Sequence, residues 1–225
     1  MSDTAGRARR RPVVIAIDGP AASGKGTLAD RIAAHFGFAR LDSGRLYRAA
    51  ARRLMDAGGD PGDEDAAAAA ARAVRPGDLA DPALASDDVA RTASRIAALP
   101  AVRAALIAFQ RDFARNPPGG APGAVIDGRD IGTVVCPDAQ VKFYVTASLG
   151  TRAGRRLKEL REKGADSIKA RVLQDMHERD ARDRSRAESP LRQAEDAHLL
   201  DTTGLDADAV FGAARAVIED RLRRP

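Results

Sequence analysis

Several residue types are scarce in this 225-residue chain, and each scarcity excludes a class of protein. The one cysteine, Cys136, cannot form an internal disulfide and fits a reducing compartment. One Cys with three scattered histidines (His35, His177 and His198) argues against a zinc site. No run approaches the ~18 apolar residues that a membrane span needs. We therefore predict a cytoplasmic protein without a membrane segment.

Aromatic residues are also rare, at 4% with no Trp, which argues against the stacking platforms of single-stranded nucleic-acid binders. Charge is plentiful: 37 Lys and Arg outnumber 32 Asp and Glu, giving a net charge of +5. This excess indicates phosphate-bearing ligands, with nucleic acid as the weaker option. Residues 1–12 are basic but lack the apolar core of a secretory signal, so we expect a disordered tail.

Short apolar runs alternate with segments of helical periodicity. The predicted strands are Pro12–Gly19, the segment FGFARLDSG, Gly123–Gly128, Val141–Ala147 and HLLDTTG. Strands separated by helices indicate an α/β fold with a parallel five-stranded sheet flanked by helices, and residues 13–225 should form a single domain. Three helices have predicted N-caps, namely Ser43, Ser167 and Asp206, and Pro100 separates two further helices.

The segment GPAASGKGT between the first strand and the first helix has the P-loop pattern. Its glycines let backbone N–H groups turn inward, and Lys25 supplies a charge for the β- and γ-phosphates. Gly26 stands where most P-loops carry Ser or Thr, so Mg²⁺ is expected to be held through phosphates and water, with Asp127 and Thr27 as candidate ligands. The predicted ATP-binding residues here are Gly19, Pro20, Ala21, Ala22, Ser23, Gly24, Lys25, Gly26 and Thr27.

A dense run of charge, MHERDARDRSRAESP, lies near the carboxyl end. At 100° per residue, Arg179, Asp183 and Arg186 share one narrow helix face, whereas Asp180 and Arg184 point elsewhere and should be solvated. Guanidinium forks suit phosphate, and a nearby carboxylate suits a sugar hydroxyl. The alternative is a solvated face of ion pairs.

Three segments together carry a family resemblance. LDSGRLYR (Leu41–Arg48), IDGRDIGTVV (Ile126–Val135) and ERDARDRSRA (Glu178–Ala187) resemble signatures of the cytidylate kinases. The resemblance implies a P-loop NTPase fold that transfers phosphoryl groups from MgATP to CMP or dCMP. It also implies an acceptor-binding subdomain at about 43–115 and a short lid at about 152–170. The insert at 57–89 looks too short for the hairpin of many members.

The resemblance also implies residue roles. Lys25, Arg48, Asp127 and Arg129 would be catalytic, with the two arginines clamping the acceptor phosphate. Asp130 and Arg103 would read cytosine. The implied CMP-binding set is Ser43, Arg48, Ser94, Arg103, Arg129, Asp130, Arg179, Asp183 and Arg186. Arg155 and Arg156 would contact ATP, although the residues do not decide which of Arg152, Arg155 and Arg156 covers the donor phosphates.

Other functions remain open at this point. A P-loop kinase for UMP or AMP would share the donor loop, and a nucleotide-dependent switch protein would share it too. A switch has no use for an acceptor-side arginine set, so kinase activity is favoured. We expect a monomer whose partners are ATP and CMP or dCMP.

Overall fold

The computed structural model describes residues 11–162, 164, 168–186 and 189–223. Most of the predicted basic tail therefore lies outside the described residues, and so does the predicted cap Ser167. Part of the predicted lid, 163 and 165–167, is also outside them.

Five parallel strands form one sheet in the order β2-β3-β1-β4-β5. Their bounds are β1 Val13–Asp18, β2 Ala39–Asp42, β3 Gly123–Gly128, β4 Val141–Thr146 and β5 His198–Asp201. The central strands are apolar and β-branched because helices cover both faces of the sheet. The α/β fold and the five predicted strands are confirmed.

The helices follow the predicted order, with small differences at their ends. Their bounds are α1 Lys25–Phe36, α2 Ser43–Asp56, α3 Glu64–Arg72, α4 Asp87–Ile96, α5 Pro100–Arg115, α6 Leu149–Glu162, α7 Lys169–Ser185 and α8 Ala207–Arg223. The prediction of Ser43 as an N-cap was wrong, because the Asp42 carboxylate accepts from the Arg45 N–H and Ser43 is already helical. Asp206 does cap α8, accepting from the Ala209 N–H.

The described residues form four hydrophobic clusters, and two of them are the largest. One packs α1 and α8 against the sheet, around Ile15, Ile32 and Phe143. The other is wholly helical and joins α2, α3, α4 and α5 through alanines and residues such as Leu46 and Leu106. Residues 57–89 contain α3 and two 3-10 turns but no strand, so the predicted lack of a hairpin is confirmed.

The described residues include no single helix long and apolar enough to cross a bilayer. One bent pair, Asp87–Ile96 with Pro100–Gly120, meets the criteria by length and composition only. Both helices of this pair contribute buried residues to the helical core, among them Val89 and Val102.

Candidate active site

The predicted P-loop lies at the carboxyl end of β1, in the middle of the sheet. Its backbone takes the left-handed region at Ala22, with φ 57°, and at Gly24, with φ 93°. Gly19 has no room for a side chain, because a Cβ there would lie 1.9 Å from the Val145 carbonyl oxygen. The loop then enters α1 at Lys25. Backbone N–H groups and a helix N-terminus thus converge as a phosphate cradle requires.

Lys25 is buried, and its Nζ donates to the Pro20 carbonyl oxygen at 2.8 Å. Burial lowers the pKa of Lys25, and the nearby Arg129 lowers it further, while Asp127 and Asp18 oppose this. Without an anion the ammonium is short of negative charge. Phosphate oxygens would supply that charge and favour the protonated amine.

Asp127 is the second-last residue of β3 and pairs in register with Asp42 on β2 and Ile17 on β1. Burial raises the pKa of its carboxyl group, and Arg40, with Nη1 2.7 Å from Oδ1, acts against this. Oδ1 is buried and makes no aligned hydrogen bond. A buried carboxylate oxygen without such a bond is a suitable ligand for Mg²⁺ or for its bound water.

Metal-ligating side chains are otherwise sparse around this carboxylate. No group of three or more His, Cys, Asp or Glu in the described part of the chain could hold a metal. A magnesium ion near Asp127 would therefore take most of its ligands from a nucleotide and from water, as Mg²⁺ commonly does. The other candidate ligand, Thr27, is exposed on α1.

Asp183 on the charged helix α7 forms ion pairs with Arg129 and Arg186. Arg129 Nε donates to Asp183 Oδ2 at 2.9 Å, and Arg186 Nη2 donates to Oδ1 at 2.5 Å. Asp183 is 2% exposed. Burial alone would raise its pKa, but the two guanidinium groups dominate and lower it. Arg186 follows the last helical residue, Ser185, yet reaches the predicted face.

Arg48 and Arg179 have no such partner. Each is partly shielded, and neither makes a hydrogen bond or ion pair with the described residues. Burial lowers the pKa of both, and for Arg179 the neighbouring Arg129 adds to the effect. Carboxylates act on both at longer range, Asp42 and Glu159 on Arg48 and Asp183 on Arg179. A shielded guanidinium group that no carboxylate pairs with directly favours a bound anion. Arg48, Arg129 and Arg179, here called the arginine cluster, are thus suited to a phosphate.

The two predicted base-reading residues contact each other. Arg103 Nη2 is paired with Asp130 Oδ2, and both side chains are buried. Ser43 Oγ donates to the Asp127 carbonyl oxygen at 2.7 Å. Ser94 is half-buried on α4 and makes no hydrogen bond to another described residue. The structure therefore joins Arg103 with Asp130 but leaves the predicted role of Ser94 without a contact.

Tyr47 lies beside this pair; it belongs to the segment LDSGRLYR but was not among the predicted site residues. The Arg103 guanidinium carbon lies 5.9 Å from the centre of the Tyr47 ring. The tyrosine hydroxyl is buried without a hydrogen-bond partner, and burial raises its pKa to about 12. An unsatisfied buried hydroxyl next to Arg103 is available to a ligand.

The three arginines at the start of the predicted lid, Arg152, Arg155 and Arg156, have different environments. Arg152 is buried, pairs with Asp180 at 2.6 Å and donates to the Ala21 carbonyl oxygen of the P-loop at 3.3 Å. Arg155 donates to the side chain and carbonyl oxygen of Thr202, after β5. Arg156 pairs instead with Asp87 at the start of α4, at 3.2 Å.

The expectation that Asp180 is solvated was wrong, since it is 5% exposed. The helix-face argument placed Asp180 correctly away from Arg179 but could not show that α6 covers that second face. Arg152 on α6 supplies the counter-charge. Arg184, by contrast, is exposed as predicted.

Asp18, the last residue of β1, was also not selected from the sequence. It is 4% exposed and accepts from the Ile131 N–H at 2.8 Å and the Gly132 N–H at 2.7 Å. These donors begin the π-helical turn Ile131–Val135, which directly follows Arg129 and Asp130. Asp18 therefore ties the start of the P-loop to the arginine and carboxylate of the acceptor side.

We expect Asp18→Asn to remove a pH dependence of the free energy of unfolding, because the amide that replaces this carboxyl group does not titrate. Burial raises the pKa of Asp18 to about 6, although both backbone N–H groups oppose this. Native protein then binds this proton more tightly than the unfolded chain does. Stability should fall as pH rises from about 4 to about 6, and the substitution should remove that slope.

Denaturant unfolding of both proteins across that pH range measures the effect. Asp201→Asn is a matched control, since Asp201 is an exposed strand-end carboxylate that accepts from Thr203. An unchanged slope in Asp18→Asn would mean that another group titrates.

Comparison with known proteins places this arrangement in a family. The family model described as cytidylate kinase matches residues 15–220. A cytidylate kinase of Paramagnetospirillum magneticum is 59% identical over 205 residues, covering 91% of this chain and 97% of the relative. One from Rhodospirillum rubrum is 54% identical, covering 94% and 100%. An uncharacterized protein from Eubacterium ventriosum shares the fold, at TM-score 0.52 and 16% identity over 94% and 99% of the chains. The chain belongs to the cytidylate kinase family.

Proposed function

We propose that this protein transfers the γ-phosphoryl group of ATP to CMP or dCMP, with Mg²⁺ bound to the donor. The observation that carries this most directly is the arginine cluster, in which burial and neighbouring arginines lower the pKa of both Arg48 and Arg179 although carboxylates lie nearby. Arg129 and Arg179 are both close enough to lower the pKa of Lys25. Lys25 on the donor side and Arg129 and Arg179 on the acceptor side thus lie close to one another, as a site between two phosphates requires.

Phosphoryl transfer needs positioning and charge neutralisation more than covalent chemistry. The P-loop backbone and Lys25 hold the donor phosphates, and the arginine cluster holds the acceptor phosphate. Bringing two anions together in line would otherwise be opposed by their repulsion. A bound Mg²⁺ would supply charge neutralisation at the donor phosphates, and Asp127 and Thr27 are the residues that would hold the ion or its water. Arg152 and Arg155 both reach the P-loop: Arg152 Nη1 donates to the Ala21 carbonyl oxygen at 3.3 Å, and Arg155 Nη1 lies 3.8 Å from where a Cβ on Gly24 would be.

The acceptor base would be read by exchange of an existing ion pair. Cytosine presents its N4 amino group as a donor and N3 and O2 as acceptors. Asp130 can accept from N4, and Arg103 can donate to N3 and O2, so both charges stay satisfied when their mutual contact opens. Asp183 can accept from a 3′-hydroxyl, which ribose and deoxyribose both have. The same site therefore serves CMP and dCMP.

The proposal includes a monomeric, cytoplasmic enzyme. A monomer would have both substrate sites within one chain, because the P-loop, the arginine cluster and the pair of Arg103 and Asp130 all belong to it. A cytoplasmic enzyme would meet ATP and nucleoside monophosphates in solution.

A coupled assay with ATP and a panel of monophosphates tests the proposal. We expect CMP and dCMP to give the highest kcat/KM, and AMP to be poor. UMP should be disfavoured because its O4 acceptor and N3 donor invert the pattern that Asp130 and Arg103 complement. Faster turnover of AMP or UMP than of CMP would assign a different acceptor. Slow ATP hydrolysis that no monophosphate accelerates would indicate a switch protein.

A further inference from the structure

Arg40 on β2 contacts the carboxylate nearest the proposed metal, at a position that no sequence motif indicated. Its Nη1 lies 2.7 Å from Asp127 Oδ1, and its Nε donates to Asp30 Oδ1 at 2.9 Å. The Asp127 side chain is 9% exposed and that of Asp30 is 69% exposed. One guanidinium group is thus shared between a buried carboxylate and a solvated one.

The contact with Asp127 is close but poorly directed. Neither Arg40 Nη1 nor Asp127 Oδ1 makes an aligned hydrogen bond, although both atoms are buried. The bond to Asp30, in contrast, is well formed. Asp127 is therefore neutralised by a cation that its oxygen does not fully engage, and a cation with better geometry could replace it.

The guanidinium group also reaches the P-loop. Arg40 Nη2 lies 3.9 Å from the point that a Cβ on Gly26 would occupy. Position 26 is where most P-loops place the hydroxyl that binds magnesium. Arg40 therefore lies next to both Asp127 and position 26, the two positions at which a P-loop protein contacts the metal directly or through water.

We infer that Arg40 is a positioning residue that competes with magnesium for Asp127 and thereby sets the metal requirement of the enzyme. The inference rests on the proposed function, which uses Mg²⁺ with ATP. A guanidinium group at Asp127 reduces the negative potential there and repels a divalent cation. Asp30 offers Arg40 a second partner, so that Arg40 can release Asp127 and stay paired.

Two substitutions with opposite expected effects test this. Arg40→Gln removes the charge, and Mn²⁺ should then bind the complex of enzyme and a non-hydrolysable ATP analogue about five- to tenfold more tightly. Asp30→Asn leaves Arg40 with Asp127 alone, and Mn²⁺ should bind more weakly. Electron paramagnetic resonance of free Mn²⁺ measures both without any turnover.

Asp208→Asn is the matched control, because Asp208 is a solvated carboxylate paired with Arg31 on the same helix as Asp30. Its Mn²⁺ affinity should equal that of the unsubstituted protein. Unchanged or weaker Mn²⁺ binding in folded Arg40→Gln would overturn the inference. If that variant does not fold, Asp30→Asn decides alone, and unchanged affinity there rejects it. CMP phosphorylation at saturating Mg²⁺ is measured separately, so failure of the proposed function is recognisable independently of the metal result.

Discussion

Lys25→Met should lower kcat for CMP phosphorylation by about 10²–10³-fold while CMP binding changes little. Lys25 is buried at the start of α1, where its ammonium meets the P-loop carbonyl of Pro20. Its charge is needed as the γ-phosphoryl group moves, and methionine keeps the length of the side chain without the charge. The proposed CMP contacts are the arginine cluster and Asp130, which this substitution leaves in place.

Rate measurements beside calorimetric CMP titration separate the two effects. Lys158→Met serves as the control, because Lys158 is a solvated lysine on α6 whose partner is Glu162 at 3.9 Å. A Lys25→Met protein with nearly normal kcat would show that the loop does not bind the transferred phosphate.

Asp183→Ala is expected to have the largest effect on acceptor use of any single change in α7. It removes the counter-charge of both Arg129 and Arg186, and it removes the proposed sugar contact. Leaving buried charges unpaired typically costs about 3–5 kcal/mol, so part of the loss should appear as a lower melting temperature. Asp183→Asn keeps one acceptor oxygen and should recover part of the stability.

Arg179→Ala should weaken acceptor use by about ten- to a hundredfold, equivalent to about 1.5–3 kcal/mol for a charge-assisted contact. Its stability should change little or rise, because Arg179 has no partner among the described residues and lies close to Arg129. Arg184→Ala on the exposed face is the matched control and should be nearly silent in both measurements. Equal, small effects on kcat/KM at Arg179, Asp183 and Arg184 would mean that α7 presents only a solvated ion-pair face.

The two wrong predictions, a solvated Asp180 and Ser43 as an N-cap, both depended on where neighbouring elements lie. Helical geometry gives the relative directions of side chains on α7, so Asp183 and Arg184 were placed correctly. Helical geometry does not show which faces of α7 pack against another element. Asp180 is buried because α6 packs on its face, where Arg152 pairs with it. The N-cap of α2 was misplaced by one residue because Asp42 and Ser43 are both residue types that cap helices. The structure shows that β2 ends at Asp42 and that α2 begins at Ser43, so Asp42 is the cap.

The sequence by itself determined the features that depend on neighbours along the chain. The P-loop pattern of Gly19–Thr27 and the three family segments each lie within about ten consecutive residues. The parallel sheet followed from the order of short apolar runs and helical segments along the chain. Tertiary structure alone decided which distant charges meet. Arg40 with Asp127, Asp18 with the Ile131–Val135 turn, and the unpaired state of Arg48 and Arg179 depend on strand order and helix packing, because electrostatic pairing follows distance in space and not separation in sequence.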